Sequence, residues 1–464
     1  METEQMRTAR IMKDNISGKR VSVLGMARSG LAAVRLLLKH GADVFVSDSG
    51  SAGNLQEAVA DLKSMGIKYE IGQHTDRILD ADMVVVSPGV PSDLSIILDA
   101  EERNIAVVSE LELGSWYCRA PIIAVTGTNG KTTTTTLIGG IFKNSGMSYR
   151  VGGNIGTAFS GFTEEIGKNA VAVLEVSSFQ LDHIQTFRPK VSVLLNITPD
   201  HLDRYNHDFE RYISSKCRIF ENQTNDDYLI YNDDDEQTKE QVRRFASLHV
   251  KTIPFSISKP LSHGACVKDG MLVCEIDQKV SRLIRTDSIG IRGDHNLFNA
   301  MAAALTAKIF GIDDAIVTET LGSFSGVEHR LEFVRELNGV KYINDSKATN
   351  VESVWYAVQT FREPLVLILG GRDKGNDYSK LHECVKERVK TIIAVGESAR
   401  KVHDEFCSIK TVVMADSMED AVKKARMNAA AGDIVLLSPA CASFDWFRNY
   451  EHRGMVFKEI VMSL

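Results

Sequence analysis

The sequence has no CxxC pair, an odd number of cysteines, and no apolar run approaching the ~20 residues needed to cross a bilayer. Its 7 cysteines (Cys118, Cys217, Cys266, Cys274, Cys384, Cys407, Cys441) are scattered. That argues against a disulfide framework or a structural zinc site, so a reducing, cytoplasmic setting is expected. Residues 1–15 are polar and mixed in charge, without the apolar stretch of a secretory signal. Positive charge is also short. The formal net charge is -7, whereas a dedicated nucleic-acid binder carries a basic face. An anionic substrate is still allowed, because backbone N–H groups and a few local cations hold phosphate whatever the global sign. Neither a nucleic acid nor a membrane is an expected partner, and a monomer is expected.

What is present is an ordinary globular balance, 44% hydrophobic and 25% charged over 464 residues, enough for roughly two to four domains. Short apolar runs ending in glycine or polar loops alternate with helical stretches. In the first third, residues 20–25, 42–47, 81–87 and 105–109 read as strands, with a helix over about 30–40. A second series has strands at 122–125, 170–176 and 191–197, and a third has them at 365–369, 391–395 and 434–437. The expected class is therefore α/β. It comprises a Rossmann-like N-terminal domain over 1–113, a central P-loop ATPase domain with a mainly parallel sheet over 114–326, and a Rossmann-like C-terminal domain over 327–464. The stretch 222–241, dense in Asp and Asn, reads as a solvated hairpin edge rather than a metal cluster. Ligands of open parallel sheets bind beyond the C-terminal ends of strands, so the loops there hold the candidate residues.

The strongest of these is Thr126-Gly127-Thr128-Asn129-Gly130-Lys131-Thr132, a strand end, glycine turn and helix start. Such a turn points successive N–H groups and a helix N-terminus at a polyphosphate. Lys131 would neutralise phosphate charge and Thr132 would ligate Mg²⁺, although the first glycine stands closer to the lysine than in the general GxxxxGK[ST] pattern. Glu175 closes the next apolar strand and is placed to organise Mg²⁺. Asp200-His201-Leu202-Asp203-Arg204-Tyr205 follows another strand; on spacing alone His201 reads as structural, since Mg²⁺ prefers oxygen. Lys216 on the helix expected over 208–220 reads as a solvated lysine. His295-Asn296-Leu297-Phe298-Asn299 precedes an Ala-rich helix, where Asn is either a cap or a partner for a nucleobase.

His329-Arg330 opens the third series. The run Asn344-Asp345-Ser346-Lys347-Ala348-Thr349-Asn350 offers both charges and two hydroxyls ahead of a helix. Two further strand-end loops converge there, Gly370-Gly371-Arg372-Asp373-Lys374 and Ser438-Pro439-Ala440-Cys441-Ala442-Ser443-Phe444-Asp445. In the first series Gly25-Met26-Ala27-Arg28-Ser29-Gly30 approaches GxGxxG, and Asp48 stands where a dinucleotide fold places its ribose acid. A nicotinamide-dependent dehydrogenase is the reading that follows from this turn alone; Ala27 in place of the middle glycine and the intact loop at 127–132 argue against it.

The order of these stretches, with Ser87-Pro88-Gly89-Val90-Pro91 and Gly152-Gly153-Asn154-Ile155-Gly156, resembles the Mur ligases almost end to end, most closely the D-glutamate-adding branch. The segment 126–132 is shared with folylpolyglutamate synthases, which remain an alternative. The resemblance implies a UDP-binding N-terminal domain, a central ATPase and a C-terminal domain that admits the amino acid. The activity implied is ATP-dependent joining of D-glutamate to UDP-N-acetylmuramoyl-L-alanine through an acyl phosphate, with ATP and Mg²⁺ required, in peptidoglycan precursor synthesis. It implies that Thr126, Gly127, Thr128, Asn129, Gly130, Lys131, Thr132 and Thr133, with Asn296, Asn299, Arg330 and Asp345, hold ATP. Thr132, Glu175, His201 and Lys216 would hold Mg²⁺, Lys216 as a carbamate. Lys131, Glu175, His201, Lys216, Asp345 and Lys347 form the implied catalytic set. Gly25, Asp48, Ser87, Gly89, Asn154 and Ser177 would contact the nucleotide sugar, and Thr349, Lys374, Ser443, Phe444 and Tyr450 would contact D-glutamate.

Overall fold

Apolar runs of four to seven residues, buried on both faces, are the pattern of strands covered by helices on both sides. In the computed structural model, which describes residues 10–464 apart from 54, 201, 246–249 and 374 and the side chains of 203 and 352, they build three sheets. The first contains β1 (Arg20–Leu24), β2 (Asp43–Asp48), β3 (Lys68–Ile71), β4 (Met83–Val86) and β5 (Ala106–Ser109), all parallel, in the order β3-β2-β1-β4-β5. The edge strand β3 was not expected from the sequence. Its Lys-Tyr-Glu-Ile is only half-buried, too polar to give an apolar run. The helix Arg28–Lys39, which begins directly after the glycine turn, buries Ala33, Val34, Leu36 and Leu37 against this sheet's core.

The second sheet has nine strands: β6 (Ile122–Thr126), β7 (Tyr149–Gly153), β8 (Val171–Glu175), β9 (Val191–Leu194), β10 (Tyr228–Asn232), β11 (Lys251–Ser256), β12 (Gly264–Lys268), β13 (Met271–Ile276) and β14 (Lys279–Arg285), ordered β14-β13-β12-β11-β10-β9-β6-β8-β7. Pairing is parallel except in the β12–β13–β14 meander. The acidic stretch 222–241 departs from the expected hairpin edge. Its Tyr-Leu-Ile-Tyr core is interior strand β10, and a helix, Glu236–Phe245, follows. Two of its acids anchor turns: Asp227 Oδ2 accepts from Arg188 Nε and Thr224 N, and Asp235 Oδ1 accepts from Thr238 N at the helix start. Among the described residues, no group of three or more His, Cys, Asp or Glu could hold a metal ion.

The third sheet holds β15 (Glu332–Leu337), β16 (Val340–Asn344), β17 (Leu365–Gly370), β18 (Val389–Val395), β19 (Thr411–Met414) and β20 (Ile434–Leu437), in the order β15-β16-β20-β17-β18-β19. Only β15–β16 is antiparallel. The first two sheets, with residues 1–289 and 294–324, form one compact unit; residues 290–293 and 325–464, with the third sheet, form another. No helix among the described residues is long and apolar enough to cross a membrane.

Within the first unit, one buried carboxylate fastens the two sheets' segments together. Glu112, on the helix Glu110–Tyr117 after β5, is fully buried and accepts from Gln185 N (2.9 Å), Thr186 N (2.8 Å), Thr186 Oγ1 (2.6 Å), Phe187 N (2.8 Å) and Trp116 Nε1 (2.7 Å). Removing the acceptor strands several buried donors at once. Glu112→Ala is expected to lower unfolding free energy by about 3 kcal/mol or more, measured by urea denaturation; a loss under ~1 kcal/mol would mean that these donors find other partners.

Candidate active site

Strand β6 is fully buried and stops at Thr126, where two residues that L side chains fit poorly take over: Gly127 at φ +150° and Gly130 at φ +86°. A Cβ at Gly130 would collide with Asn299 Oδ1, and one at Gly127 would stand 3.0 Å from Leu195 Cβ. The helix Lys131–Asn144 starts at once, so its first N–H groups line the turn. The strand end of β9 holds the turn in shape. Asn196 Oδ1 accepts from Asn129 N (2.8 Å), Asn196 Nδ2 donates to Asn129 O (3.1 Å), and Thr128 N donates to Asn196 O (3.0 Å). Thr126 Oγ1 donates to Val176 O at 2.8 Å, and Thr133 is buried in the helix's first turn. Sequence reasoning missed Asn196; an amide directly after an apolar strand and ahead of Thr198-Pro199-Asp200 was the available signal.

Around this turn the structure gathers most of the expected ATP and metal residues. Thr132 Oγ1 donates to Glu175 Oε2 at 2.6 Å, and Asn154 Nδ2 donates to Glu175 Oε1 at 2.9 Å. Glu175 is therefore a buried, doubly anchored carboxylate, not a helix cap or a solvated acid. A threonine hydroxyl and a carboxylate converging at two strand ends are the hard oxygen donors that suit Mg²⁺. Lys131 Nζ donates to Gly127 O and Thr128 O, both at 2.8 Å. Lys216 Nζ donates to the same Gly127 O at 2.9 Å and lies 4.6 Å from the Tyr212 ring centroid. Lys216 is 1% exposed, so it is no solvated helix lysine. Burial, and then the Lys131 ammonium beside it, hold its pKa well below the ordinary lysine value.

Asn299 was expected ahead of its helix, but the helix spans Asp294–Ile309 and Asn299 lies inside it. There its Oδ1 accepts from Thr134 Oγ1 (3.1 Å) and its Nδ2 donates to Asn296 Oδ1 (3.1 Å), tying both asparagines to the phosphate-turn helix. His201 and Lys374 lie outside the described residues.

Four of the candidate nucleotide-sugar residues, Gly25, Asp48, Ser87 and Gly89, sit at the C-terminal ends of the first sheet's strands. Asp48 Oδ2 accepts from Met26 N and its Oδ1 from Gly50 N, each at 2.7 Å. Gly25 has φ +94°, and Ser87 Oγ donates to its carbonyl at 3.4 Å. Gly89 stands in the following turn with open space at its Cβ position. Asn154, after β7, reaches this corner because its carbonyl accepts from Arg28 Nη2 at 3.3 Å. Ser177 caps the short helix Ser178–Leu181 in a capping box with Gln180.

In the second unit, Asp345 directly follows β16 and is buried, with Oδ2 accepting from Ser438 Oγ (2.8 Å) and Oδ1 from Leu331 N (3.2 Å). Burial raises its pKa to about 7, against the opposing pull of Ser438, Arg330, the Leu331 N–H and Arg453. Lys347 Nζ lies 5.5 Å from the Tyr450 ring centroid. Ser443 is buried, Phe444 is 60% exposed, and Thr349 is half-buried ahead of the helix Val351–Thr360. Sequence reasoning also missed Arg453. Its buried guanidinium donates to Ser346 Oγ and O and to Cys441 O (2.9, 2.8 and 3.1 Å), joining the 344–350 and 438–445 loops.

Three α/β sheet modules, with a strand–glycine turn–helix phosphate cradle in the second, define a P-loop protein of the multidomain type. Three family descriptions match in chain order: "Mur ligase MurD-like, N-terminal domain" over residues 19–109, "Mur ligase middle domain" over 125–307, and "Mur ligase, glutamate ligase domain" over 329–441. The chain is 48% identical to the UDP-N-acetylmuramoylalanine--D-glutamate ligase of Chloroherpeton thalassium, covering 97% of this chain and 99% of that one. It is 46% identical to the enzyme of the same name from Salinibacter ruber, again over 97% and 99%. MurF ligase from Thermotoga maritima, solved in complex with ADP, shares the fold with a TM-score of 0.57 at 18% identity, over 97% of this chain and 96% of that one. The chain belongs to the Mur ligase family.

Asp345 generates a test of this electrostatics. Its folded-state pKa lies above the ordinary 3.8, so the folded state holds the proton more tightly. The stability it contributes is full below pH ~3.8 and is lost as pH rises to ~7. Asp345→Asn imitates the neutral acid and has no such loss. Relative to the natural chain, its urea midpoint is expected to be higher at pH 8 than at pH 5; equal differences at both pH values would put the titration elsewhere.

Proposed function

We propose that this chain is an ATP-dependent ligase that joins D-glutamate to UDP-N-acetylmuramoyl-L-alanine, acting as a monomer in the cytoplasm in peptidoglycan precursor synthesis. What carries the reading is 48% identity to a ligase of that name, over nearly the whole length of both chains. The chemistry agrees with the site. A carboxylate at neutral pH is a poor acyl donor, because its oxygen is a poor leaving group. Transfer of the γ-phosphoryl group of ATP to that carboxylate gives an acyl phosphate, the amine of D-glutamate attacks its carbonyl carbon, and the C–O bond breaks to release inorganic phosphate.

No protein nucleophile is needed. The turn 127–132 binds and orients the polyphosphate through its N–H groups, and the Lys131 ammonium offsets the negative charge that moves during transfer. Asn296, Asn299, Arg330 and Asp345 are assigned to the nucleotide. Thr132, Glu175, His201 and Lys216 would hold Mg²⁺, which when bound neutralises phosphate oxygens. Gly25, Asp48, Ser87, Gly89, Asn154 and Ser177 are assigned to the nucleotide sugar. Thr349, Lys374, Ser443, Phe444 and Tyr450 are assigned to the amino acid, where a cation and hydroxyls suit a dicarboxylate, and Lys347 is assigned to the catalytic set.

Lys216 has a second consequence. Burial and the Lys131 charge favour its uncharged amine, the form whose lone pair attacks carbon dioxide, losing a proton to give a carbamate. The product is an anion beside an ammonium, which removes a like-charge conflict. With ¹³C-bicarbonate, the purified protein is expected to show one carbamate carbon resonance that disappears in Lys216→Arg; a spectrum without it would leave Lys216 an amine.

Phosphate release with UDP-N-acetylmuramoyl-L-alanine and a panel of D- and L-amino acids is expected to require D-glutamate, and a reduced folate is expected to be inert. Lys131→Ala should lower kcat by at least about a hundredfold. Release that depends on another amino acid, or substantial turnover without Lys131, would end this reading.

A further inference from the structure

Arg204 lies in the short 3₁₀ helix Leu202–Tyr205, three positions beyond His201 in the sequence. Its guanidinium donates to three consecutive carbonyls of the turn after β4: Val90 O (2.9 Å), Gly89 O (3.3 Å) and Pro88 O (3.4 Å). The same group lies 4.3 Å from the Phe179 ring centroid, four residues beyond Glu175. A second tie runs in parallel. Ser92 Oγ donates to Asp182 Oδ2 (2.9 Å), Tyr205 OH donates to the same oxygen (3.3 Å), and Tyr205 OH meets Ser215 Oγ (3.2 Å), next to Lys216. A partly desolvated guanidinium that satisfies three carbonyls in a row fixes the shape of a turn, because only one backbone arrangement presents them together.

We propose that Arg204 is a positioning residue that sets the Ser87–Pro91 turn for the nucleotide sugar and couples its occupancy to the corner holding Asp200 and Lys216. This rests on the assignment of that turn to the substrate. Arg204 acts through the turn on one side and through the 202–205 segment on the other. Binding that orders the turn orders the metal corner, and the effect is reciprocal.

Titration calorimetry of the full chain separates this from a structural role. For the natural chain, UDP-N-acetylmuramoyl-L-alanine is expected to tighten binding of the non-hydrolysable ATP analogue with Mg²⁺. In Arg204→Ala, affinity for the nucleotide sugar is expected to fall roughly tenfold, affinity for the ATP analogue alone to stay within about twofold, and the mutual tightening to vanish. Arg204→Lys keeps the charge without the fork and should recover part of the loss. If Arg204→Ala does not fold, Ser92→Ala loosens the same turn and should shift in the same direction. Unchanged sugar affinity, or an equal loss for both ligands, would overturn the proposal. Failure of the natural chain to bind the nucleotide sugar at all would instead overturn the functional reading beneath it.

Discussion

Two lysine amines converge on one carbonyl oxygen. Lys131 and Lys216 both donate to Gly127 O, in a place where water is largely excluded and like charges repel strongly. The conflict is tolerable only if one amine gives up its proton or changes its chemistry, and Lys216, the more deeply buried, is the one displaced from its ordinary ionisation. The helix Phe209–Cys217, the Tyr212 ring and the carbonyl at Gly127 surround this amine and leave it 1% exposed. The turn's glycines serve the same end. With a side chain at Gly130 the loop could not close over Asn299, and the shared carbonyl would move.

From that point the anchoring spreads outward through single side chains. Thr132 and Asn154 hold the two oxygens of Glu175, Asn154 in turn accepts from Arg28, and Arg28 opens the helix after the first glycine turn. The first and second sheets are thus joined by a line of hydrogen bonds, in addition to the buried carboxylate of Glu112. In the second unit Arg453 has the comparable task of holding two strand-end loops at one spacing.

Much of this was legible in the sequence because it depends on strand ends. Apolar runs ending in loops of glycine, serine or proline marked β1, β6, β17 and β20, and the residues immediately after them include candidate site residues. Long-range partners left weaker signals. Asn196 and Arg453 carry no local spacing rule, since their partners lie 67 and 107 residues away. Lys216 looked solvated because a helix lysine normally is; only its packing beneath the turn reverses that. The stretch 222–241 misled for a related reason. Asp227 and Asp235 are spent on turn N–H groups and Arg188, while the five residues Tyr228–Asn232 suffice for an interior strand. The meander β12–β14 had no counterpart in the expected strands, because its two antiparallel pairs lack the strand-then-glycine-loop signature.

That meander has a consequence for how the chain avoids its own copies. A nine-stranded sheet ends in two rows of unsatisfied backbone groups, each a template for pairing with another molecule. At one border β14 places Lys279, Arg282 and Arg285 with their side chains exposed, while the helix Asp314–Ser323 packs against it. At the other, β7 is only five residues long and ends in Gly152-Gly153. Lateral growth into a continuous ribbon is discouraged by charge and cover at the first border and by brevity at the second, so a wide sheet can be maintained without inviting fibrous association.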